Sequence, residues 1–226
     1  MKSEIHLIHT ICFGKKEKDS KIYDFNNIKG EDTLNYRITK IKCQIKSNEG
    51  IYGIQMIYQN LTTLEENTLI NIKSNEPNLI EQEMTFNFEQ ILDMKFWVND
   101  DIKLIGFEVI TNKGQFMKFG YGNDEQLRYC HELKNKERAV VKFTIFESKK
   151  NGIIGMTLYH INKKTHAFYI YRGIFGLRIK LKNDENKNEM KKKIDDKICD
   201  PKKKLLFKIC CLPDNQFFNI IKYALN

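Results

Sequence analysis

The sequence predicts an all-β domain with approximate threefold symmetry, and a repeated segment is the main observation behind this prediction. The pattern apolar-Gly-apolar-polar-apolar-apolar-polar occurs three times, centred on Gly53, Gly106 and Gly155, at intervals of 53 and 49 residues. A repeated internal unit constrains the architecture of a chain more strongly than any single segment does. We therefore expect three equivalent structural units.

Each repeat is predicted to be a β-hairpin. Two apolar columns precede the glycines and align across the repeats: Ile41, Met94 and Phe143 in one, and Cys43, Phe96 and Ile145 in the other. A turn signal separates these columns from the glycine each time: Asn48–Gly50, Asn99–Asp101 and Asn151–Gly152. Asn and Gly tolerate the positive φ angles that tight hairpin turns require.

Alternation of apolar and polar residues predicts the remaining strands. The segment Leu92–Val98 alternates with a period of two, as a strand with one buried face does. Further short runs rich in β-branched and aromatic residues are typical of strands, and they occur at Ile5–Phe13, Lys21–Phe25, Tyr36–Lys46, Thr68–Ile72, Met84–Phe88, Gln115–Phe119 and Ala167–Leu181. The total of roughly twelve strands is typical of sandwiches, barrels and prisms.

The composition is that of a folded chain. Hydrophobic residues make up 41% of the 226 residues and aromatic residues 12%, which excludes a wholly disordered protein. The apolar runs are shorter than a membrane span, and Met1–His6 lacks the apolar core of a signal peptide. We therefore predict an intracellular protein, cytoplasmic or cytoskeletal, whose six cysteines, Cys43 among them, are reduced thiols.

Several segments resemble a known family. Ile38–Ile41 with Gly50–Tyr58, Ile105–Asn112 with Gln115–Gly120, and Gly152–Met156 are similar, in order and spacing, to segments of jacalin-like lectin domains. The resemblance implies a jacalin-like β-prism of three four-stranded Greek-key sheets over residues 1–182. It also implies a non-catalytic domain that binds sugars or proteins. Residues 183–226 lie beyond the resemblance, and their lysine-rich composition and apolar spacing predict a basic, partly helical tail.

The resemblance also points to sugar-binding loops. In this family, glycines near the N-terminus and a Gly-x-x-x-Asp motif near the end of the domain contact the sugar. The corresponding positions are predicted to be Gly14 in the first loop, and Asn162, Lys163 and Thr165 in a last loop. That loop has neither the glycine nor the aspartate, so it lacks the charge-assisted hydrogen bonds of a carboxylate. We therefore predict that mannose and galactose do not bind at millimolar concentrations.

The sequence predicts neither an enzyme nor a metal or cofactor site. His6, His9 and Cys12 recur at intervals of three, so on a strand they do not share one face. His160 and His166 are interpreted as a surface pair, because two histidines alone make an incomplete metal site. Motifs for nucleotide binding, zinc binding or nucleophilic catalysis are absent from the sequence.

Trp97 lies on the polar-looking face of its predicted strand. We interpret it as packing against another sheet. The alternative is an exposed anchor for a partner protein, since interface hot spots are rich in tryptophan.

The tail contains a second candidate binding surface. A helix is predicted to begin at Asp214, a good N-cap, and to present an apolar side made of Phe217, Phe218, Ile221 and Leu225. A basic run that includes Lys202, Lys203 and Lys204 precedes it. The apolar side is too rich to remain in water, so the helix either folds back on the prism or docks on a partner.

The charge of the chain favours an acidic partner. Thirty-eight Lys and Arg against 29 Asp and Glu give a net charge of +9 and a pI of about 9.1. A motif for sequence-specific recognition of nucleic acid is missing. We therefore predict a non-catalytic binding module that forms a structural or interaction component of a larger intracellular assembly, such as a cytoskeletal one, through a protein with an acidic surface. The alternative is a carbohydrate-binding lectin.

Overall fold

The computed structural model describes residues 8–14, 18–24, 33–61, 63, 65–87, 89–101, 103–123, 127–131, 138–149, 152–182, 212–213, 216–217 and 219. The strands in this part of the chain are β1 Ile8–Gly14, β2 Lys21–Tyr23, β3 Tyr36–Lys46, β4 Gly50–Asn60, β5 Glu66–Ile72, β6 Ile80–Thr85, β7 Ile91–Val98, β8 Leu104–Thr111, β9 Phe116–Gly120, β10 Leu127–His131, β11 Arg138–Ser148 and β12 Gly152–Asn162. A 3-10 turn at Thr33–Asn35 precedes β3, and helix α1 at Lys163–Lys182 follows β12.

The strands form three antiparallel units of four strands each. Their orders are β5-β4-β3-β6, β9-β8-β7-β10 and β1-β12-β11-β2. The second and third units are joined into one continuous sheet by a single pairing between Val140 and Ile91. In every unit two outer strands flank a central hairpin, and this arrangement confirms the predicted β-prism.

The three central hairpins have the same register. Each repeat glycine lies opposite the residue that follows the second apolar column: Gly53 opposite Gln44, Gly106 opposite Trp97, and Gly155 opposite Phe146. The pairing shifts immediately beyond this position in all three hairpins. The turns adopt the predicted conformation at Asn48 and Gly152, whose φ angles are 62° and 70°. The predicted internal repeat is therefore structural.

The apolar columns form the core. Their six members, Ile41, Cys43, Met94, Phe96, Phe143 and Ile145, are all buried. Across the second unit, the ring of Phe107 stacks on Phe119 with centroids 4.7 Å apart and lies 6.3 Å from Phe96. Full burial of one such side chain contributes about 1.5–3 kcal/mol. The repeated columns therefore account for much of the stability of the prism.

Trp97 is buried, with an exposed fraction of 4%. The ammonium of Lys118, on β9 of the same unit, lies 4.1 Å from the centre of the ring. Gly122 packs so closely on the ring that a Cβ atom there would overlap it. Trp97 thus contacts residues of its own unit and is not an exposed anchor.

Helix α1 replaces the strand predicted at Ala167–Leu181. The side-chain Oδ1 of Asn162 accepts hydrogen bonds from the backbone N–H of Lys164 at 2.9 Å and of Thr165 at 3.4 Å, so Asn162 caps the helix. On the inner face of α1, His166, Ile170 and Ile174 are buried. Docking on the prism and this cap outweigh the strand preference of the aromatic residues in the segment.

Candidate functional site

The turns of the three central hairpins meet at one end of the prism, where a cavity of about 620 Å³ opens. The hydroxyl of Tyr121 donates a hydrogen bond to the carbonyl oxygen of Asn48, so the residues after β9 contact the β3–β4 turn. Five connections contribute charged or aromatic side chains to the cavity wall: Asp19 and Lys21, Tyr52, Lys73 and Glu76, Lys103, and Glu147 with Lys149. Segments far apart in sequence therefore build one site.

Tyr52 stands in the wall where β4 departs from regular pairing. Its neighbours Ile51 and Gly53 pair with consecutive residues of β3, so Tyr52 is the extra residue of a bulge. The ring lies 4.1 Å from the ammonium of Lys103 and 5.6 Å from that of Lys46. The Tyr52 hydroxyl donates a 2.6 Å hydrogen bond to Glu49, which with partial burial raises the pKa of Tyr52 to about 12. Tyr52 therefore remains a neutral donor at physiological pH.

Two carboxylates of the wall have partners within the chain. The Lys46 ammonium lies 3.9 Å from Glu76 and 3.1 Å from Glu49. Glu147 accepts a 2.6 Å hydrogen bond from the hydroxyl of Tyr23. These contacts fix the carboxylates in place and leave part of their acceptor capacity for a ligand, because a carboxylate can accept about four hydrogen bonds.

The lysines of the wall contact aromatic rings rather than carboxylates in the two cases that the structure shows most clearly, Lys21 and Lys103. The ammonium of Lys21 lies 4.5 Å from the centre of the Tyr23 ring, and the hydrogen bond that it donates to the Tyr23 hydroxyl raises the pKa of Lys21. Partial burial lowers the pKa of Lys103, since desolvation disfavours the charged form. The Lys103 backbone is held by Asn99, whose Oδ1 accepts from the Lys103 N–H at 2.8 Å. Lys103 thus places a positive charge at the base of the β7–β8 turn, on a backbone that Asn99 holds in position.

The predicted sugar-contacting residues are not among the described residues that line this cavity. Gly14 ends β1 and pairs with Gly155, whereas Asn162, Lys163 and Thr165 form the junction of β12 with α1. The junction is not a hairpin loop, so the predicted last loop is wrong in its position. The last hairpin turn lies between Ser148 and Gly152. Its Asn-Gly signal was visible in the sequence, but its contribution to a cavity was not.

The predicted surface pair of histidines is also wrong, because both rings are buried. The Nε2 of His160 lies 3.1 Å from Nη1 of Arg138. The Nδ1 of His166 lies 3.1 Å from Nε2 of Gln90, which also donates to the carbonyl oxygen of Lys163 at 3.2 Å. Burial lowers the pKa of His166 to about 4, so its ring is neutral at physiological pH. The His166 contacts tie α1 to the segment before β7.

Phe217 is the one residue of the predicted tail surface that the structure describes. This ring is fully buried and lies beneath the guanidinium of Arg178 on α1. Phe218, Ile221, Leu225, Lys202, Lys203 and Lys204 lie outside the described residues. The outer face of α1 carries exposed apolar side chains, with Phe168 60% and Ile179 52% exposed.

Metal binding and membrane spanning find no support in the described ranges. Their His, Cys, Asp and Glu side chains do not gather in a group of three or more that could hold a metal ion. Within the same residues, no helix is both long and apolar enough to span a bilayer.

Comparison with known proteins gives similarity in structure but not in sequence. No family model matches the chain, and no curated protein does. Frutapin, a lectin from Artocarpus incisa, is 16% identical over 71% of this chain and 99% of its own, with a TM-score of 0.50. The mannose-binding lectin from Champedak is 14% identical over the same shares, also with a TM-score of 0.50.

Single-chain recombinant jacalin is 18% identical over 70% of this chain and 97% of its own, with a TM-score of 0.50. These structures are matched over almost their whole length, and the symmetric hairpins described above account for the match. The chain therefore has the β-prism fold of the jacalin-related lectins.

Proposed function

We propose that this protein is a non-catalytic carbohydrate-binding module whose site is the cavity at the turn end of the prism. The open, polar cavity where the hairpin turns meet is the observation that carries the proposal. Its volume of about 620 Å³ lies within the range of small-molecule sites. The fold supports the proposal as well, because the matched solved structures are described as lectins.

The wall offers the groups that sugar hydroxyls require. Glu76 and Glu147 accept hydrogen bonds, while Ser74 both donates and accepts. Ser74 is held in place, because its backbone N–H donates to Oε1 of Gln44 at 3.0 Å and its Oγ accepts from the N–H of Glu76 at 3.2 Å. A site whose groups are already positioned loses less entropy on binding.

Carbohydrate binding takes precedence over the protein-assembly function predicted from the sequence. The expected failure of mannose and galactose to bind rested on residues 162–165, which form a strand-to-helix junction outside the cavity. Because that basis no longer holds, both sugars belong among the ligands to be tested.

A glycan array probed with the whole chain tests the proposal. We expect at least one class of glycan to be retained, and its binding to be lost in Ser148→Tyr, because the added ring would enter the cavity. Asn67→Tyr is the matched control, since Asn67 is exposed near the far end of β5 and its substitution leaves the cavity unchanged. The proposal is wrong if the array retains nothing, or if Ser148→Tyr binds as the natural protein does.

A second candidate function is attachment to an acidic protein surface in an intracellular, cytoskeletal assembly. The exposed face of α1 favours it. Phe168 and Ile179 lie on this face with Arg172, and the segment Lys163–Lys182 contains no Asp or Glu. An apolar patch with basic neighbours complements an acidic partner.

Co-sedimentation with polymerised tubulin, an acidic filament, tests this second candidate. The protein should pellet with the filament and be released by salt, and Phe168→Asp should reduce the bound fraction. Equal sedimentation of the protein and of Phe168→Asp would count against the α1 face as the docking surface.

A further inference from the structure

We infer that the cavity selects saccharides that carry an anionic group, a carboxylate or a sulfate, over neutral ones. The inference rests on the proposed function and adds to it the chemical class of the ligand. Two of the carboxylates in the cavity wall have partners within the chain, whereas the lysines of the wall form no direct ion pair with a described carboxylate. This difference is the basis of the inference.

The acidic groups of the wall are largely engaged. Glu76 forms an ion pair with Lys46 at 3.9 Å, and Glu147 accepts the hydrogen bond of the Tyr23 hydroxyl at 2.6 Å. Asp19 is the remaining acidic side chain among the described wall residues. The Lys46 ammonium therefore offsets part of the repulsion of an incoming anion by Glu76, whereas Glu147, bonded to a neutral hydroxyl, keeps its charge.

The basic groups of the wall are not engaged in the same way. Lys21, Lys73, Lys103 and Lys149 all line the cavity. The ion pairs among the described residues, with nitrogen and oxygen within 4.0 Å, involve other lysines. The wall thus presents four ammonium groups without a described carboxylate in direct contact, while Glu49 and Glu76 attract Lys103, and Glu147 attracts Lys21, from a longer distance.

Lys103 is the best placed of the four. Its ammonium lies over the ring of Tyr52 at 4.1 Å, and its Cε atom borders Gly152 of the β11–β12 turn. The hydrogen bond from its backbone N–H to Asn99 fixes the turn that carries it. The backbone that carries Lys103 is therefore fixed, and the Tyr52 ring restricts the ammonium before a ligand arrives, which reduces the entropy cost of binding.

An anionic saccharide fits these groups better than a neutral one. A hydrogen bond from an ammonium to a carboxylate or sulfate is roughly twice as strong as one between neutral groups. An anion beside Lys103 would also offset the desolvation that the cavity imposes on this partly buried cation. The ring hydroxyls would at the same time use the carboxylates and Ser74 of the cavity wall.

The first test sorts the glycans that bind. The whole chain is applied to an array that contains neutral, uronic-acid or sialic-acid, and sulfated glycans. We expect the retained set to be anionic, and the array shows whether carboxylate or sulfate is preferred. Retention of neutral glycans with no preference for anionic ones overturns this inference but leaves the proposed function standing. Retention of nothing overturns both.

The second test is calorimetry with the tightest anionic glycan from the array. Lys103→Met keeps the aliphatic stem and removes the charge, and we expect its affinity to fall about tenfold or more. Lys103→Arg should retain most of the affinity. Lys118→Met is the control, because Lys118 lies over Trp97 outside the cavity wall, and it should bind as the natural protein does.

Two further measurements keep the inference falsifiable if Lys103→Met does not fold. The exposed Lys149→Met should reduce affinity, and added sodium chloride should weaken anionic glycans more than any neutral glycan. Sodium sulfate should not displace the glycan at equal concentration, since the sugar ring contributes contacts. Displacement at equal concentration would identify a simple anion site and overturn the inference.

Discussion

The guanidinium carbon of Arg178 lies 4.2 Å from the centre of the Phe217 ring, and both side chains are buried. The contact joins a residue of the C-terminal tail to helix α1 across 39 positions of sequence. Of the two predicted alternatives for the tail, docking on its own chain or on a partner, the first therefore holds for Phe217. A cation held over an aromatic ring away from water is stabilised more than an exposed one.

Truncation of Phe217 is expected to destabilise the fold. Phe217→Ala removes a fully buried ring and leaves a cavity beside Arg178, at a cost of about 3 kcal/mol or more. For a chain of this size, that loss should lower Tm by about 6–12 °C. Thermal unfolding of the whole chain measures the change.

Phe116 provides the matched control, because its ring is 65% exposed on β9. Phe116→Ala should change the free energy of unfolding by no more than about 0.5 kcal/mol. If the two variants melt alike, Phe217 is not docked as described.

Two glycines of α1 should respond to alanine in opposite directions. A Cβ atom on Gly173 would overlap the side chain of Leu61, whereas one on Gly176 would have no atom within 4 Å. Gly176→Ala should therefore stabilise the protein by about 0.5–1 kcal/mol through helix propensity. Gly173→Ala should destabilise it by about 1–3 kcal/mol, as overpacking does.

Urea denaturation of both glycine variants gives the difference directly. A gain in stability from Gly173→Ala would show that α1 does not pack on Leu61.

Two of the repeat glycines, Gly53 and Gly106, are expected to destabilise the fold when replaced by alanine. A Cβ atom on Gly106 would overlap the carbonyl oxygen of Tyr121, and one on Gly53 would lie 2.8 Å from the carbonyl oxygen of Ile72. Because backbone atoms cannot move aside independently, each substitution should cost about 2 kcal/mol or more. The measurement is again the urea midpoint, with Gly176→Ala as the control. Neutral effects at both sites would contradict the close approach of the outer strands.

Acid is expected to destabilise the protein through His166. The pKa of its buried ring is about 4 in the folded protein, against about 6.5 in the unfolded chain. Between these values the unfolded chain binds a proton that the folded protein does not. This contribution to the free energy of unfolding is therefore complete above about pH 6.5 and is lost as the pH falls towards about 4. At pH 5 the loss amounts to about 2 kcal/mol.

His166→Gln isolates this effect, because glutamine does not titrate and can still bond to Gln90. Between pH 7 and about 5, the free energy of unfolding of the natural protein should fall by about 2 kcal/mol more than that of the variant. Equal losses would show that His166 is already accessible to protons in the folded state.

The hairpins could be predicted because their information is local. The turn residues require particular φ angles and the apolar columns must face the core, so Ile41, Met94 and Phe143 align in the sequence by themselves. The register of β3–β4, β7–β8 and β11–β12 follows directly from this alignment. The prediction of Tyr36–Lys46 as a strand was confirmed at both ends.

Helix α1 and the cavity could not be predicted in the same way. The residues Phe168–Tyr171 favour strands locally, and only the docking of Gly173 near Leu61, with the cap at Asn162, selects the helix. The cavity combines five connections between residues 19 and 152. These connections come together only when the prism closes, so the sequence contains no local pattern that predicts their proximity.

The third unit, β1-β12-β11-β2, places a constraint on the order of synthesis and folding. Its outer strands β1 and β2 are the first to be made, whereas its central strands β11 and β12 are the last. During synthesis, the first two units can form from strands that are consecutive in sequence. The strands β1 and β2 remain unpaired until β11 and β12 have been made. A circular permutant that keeps α1 and the tail, links the end of the chain to its start and opens the chain before Thr33 would bring β1 and β2 closer in sequence to β11 and β12. It should fold faster than the natural chain because these contacts are closer in sequence.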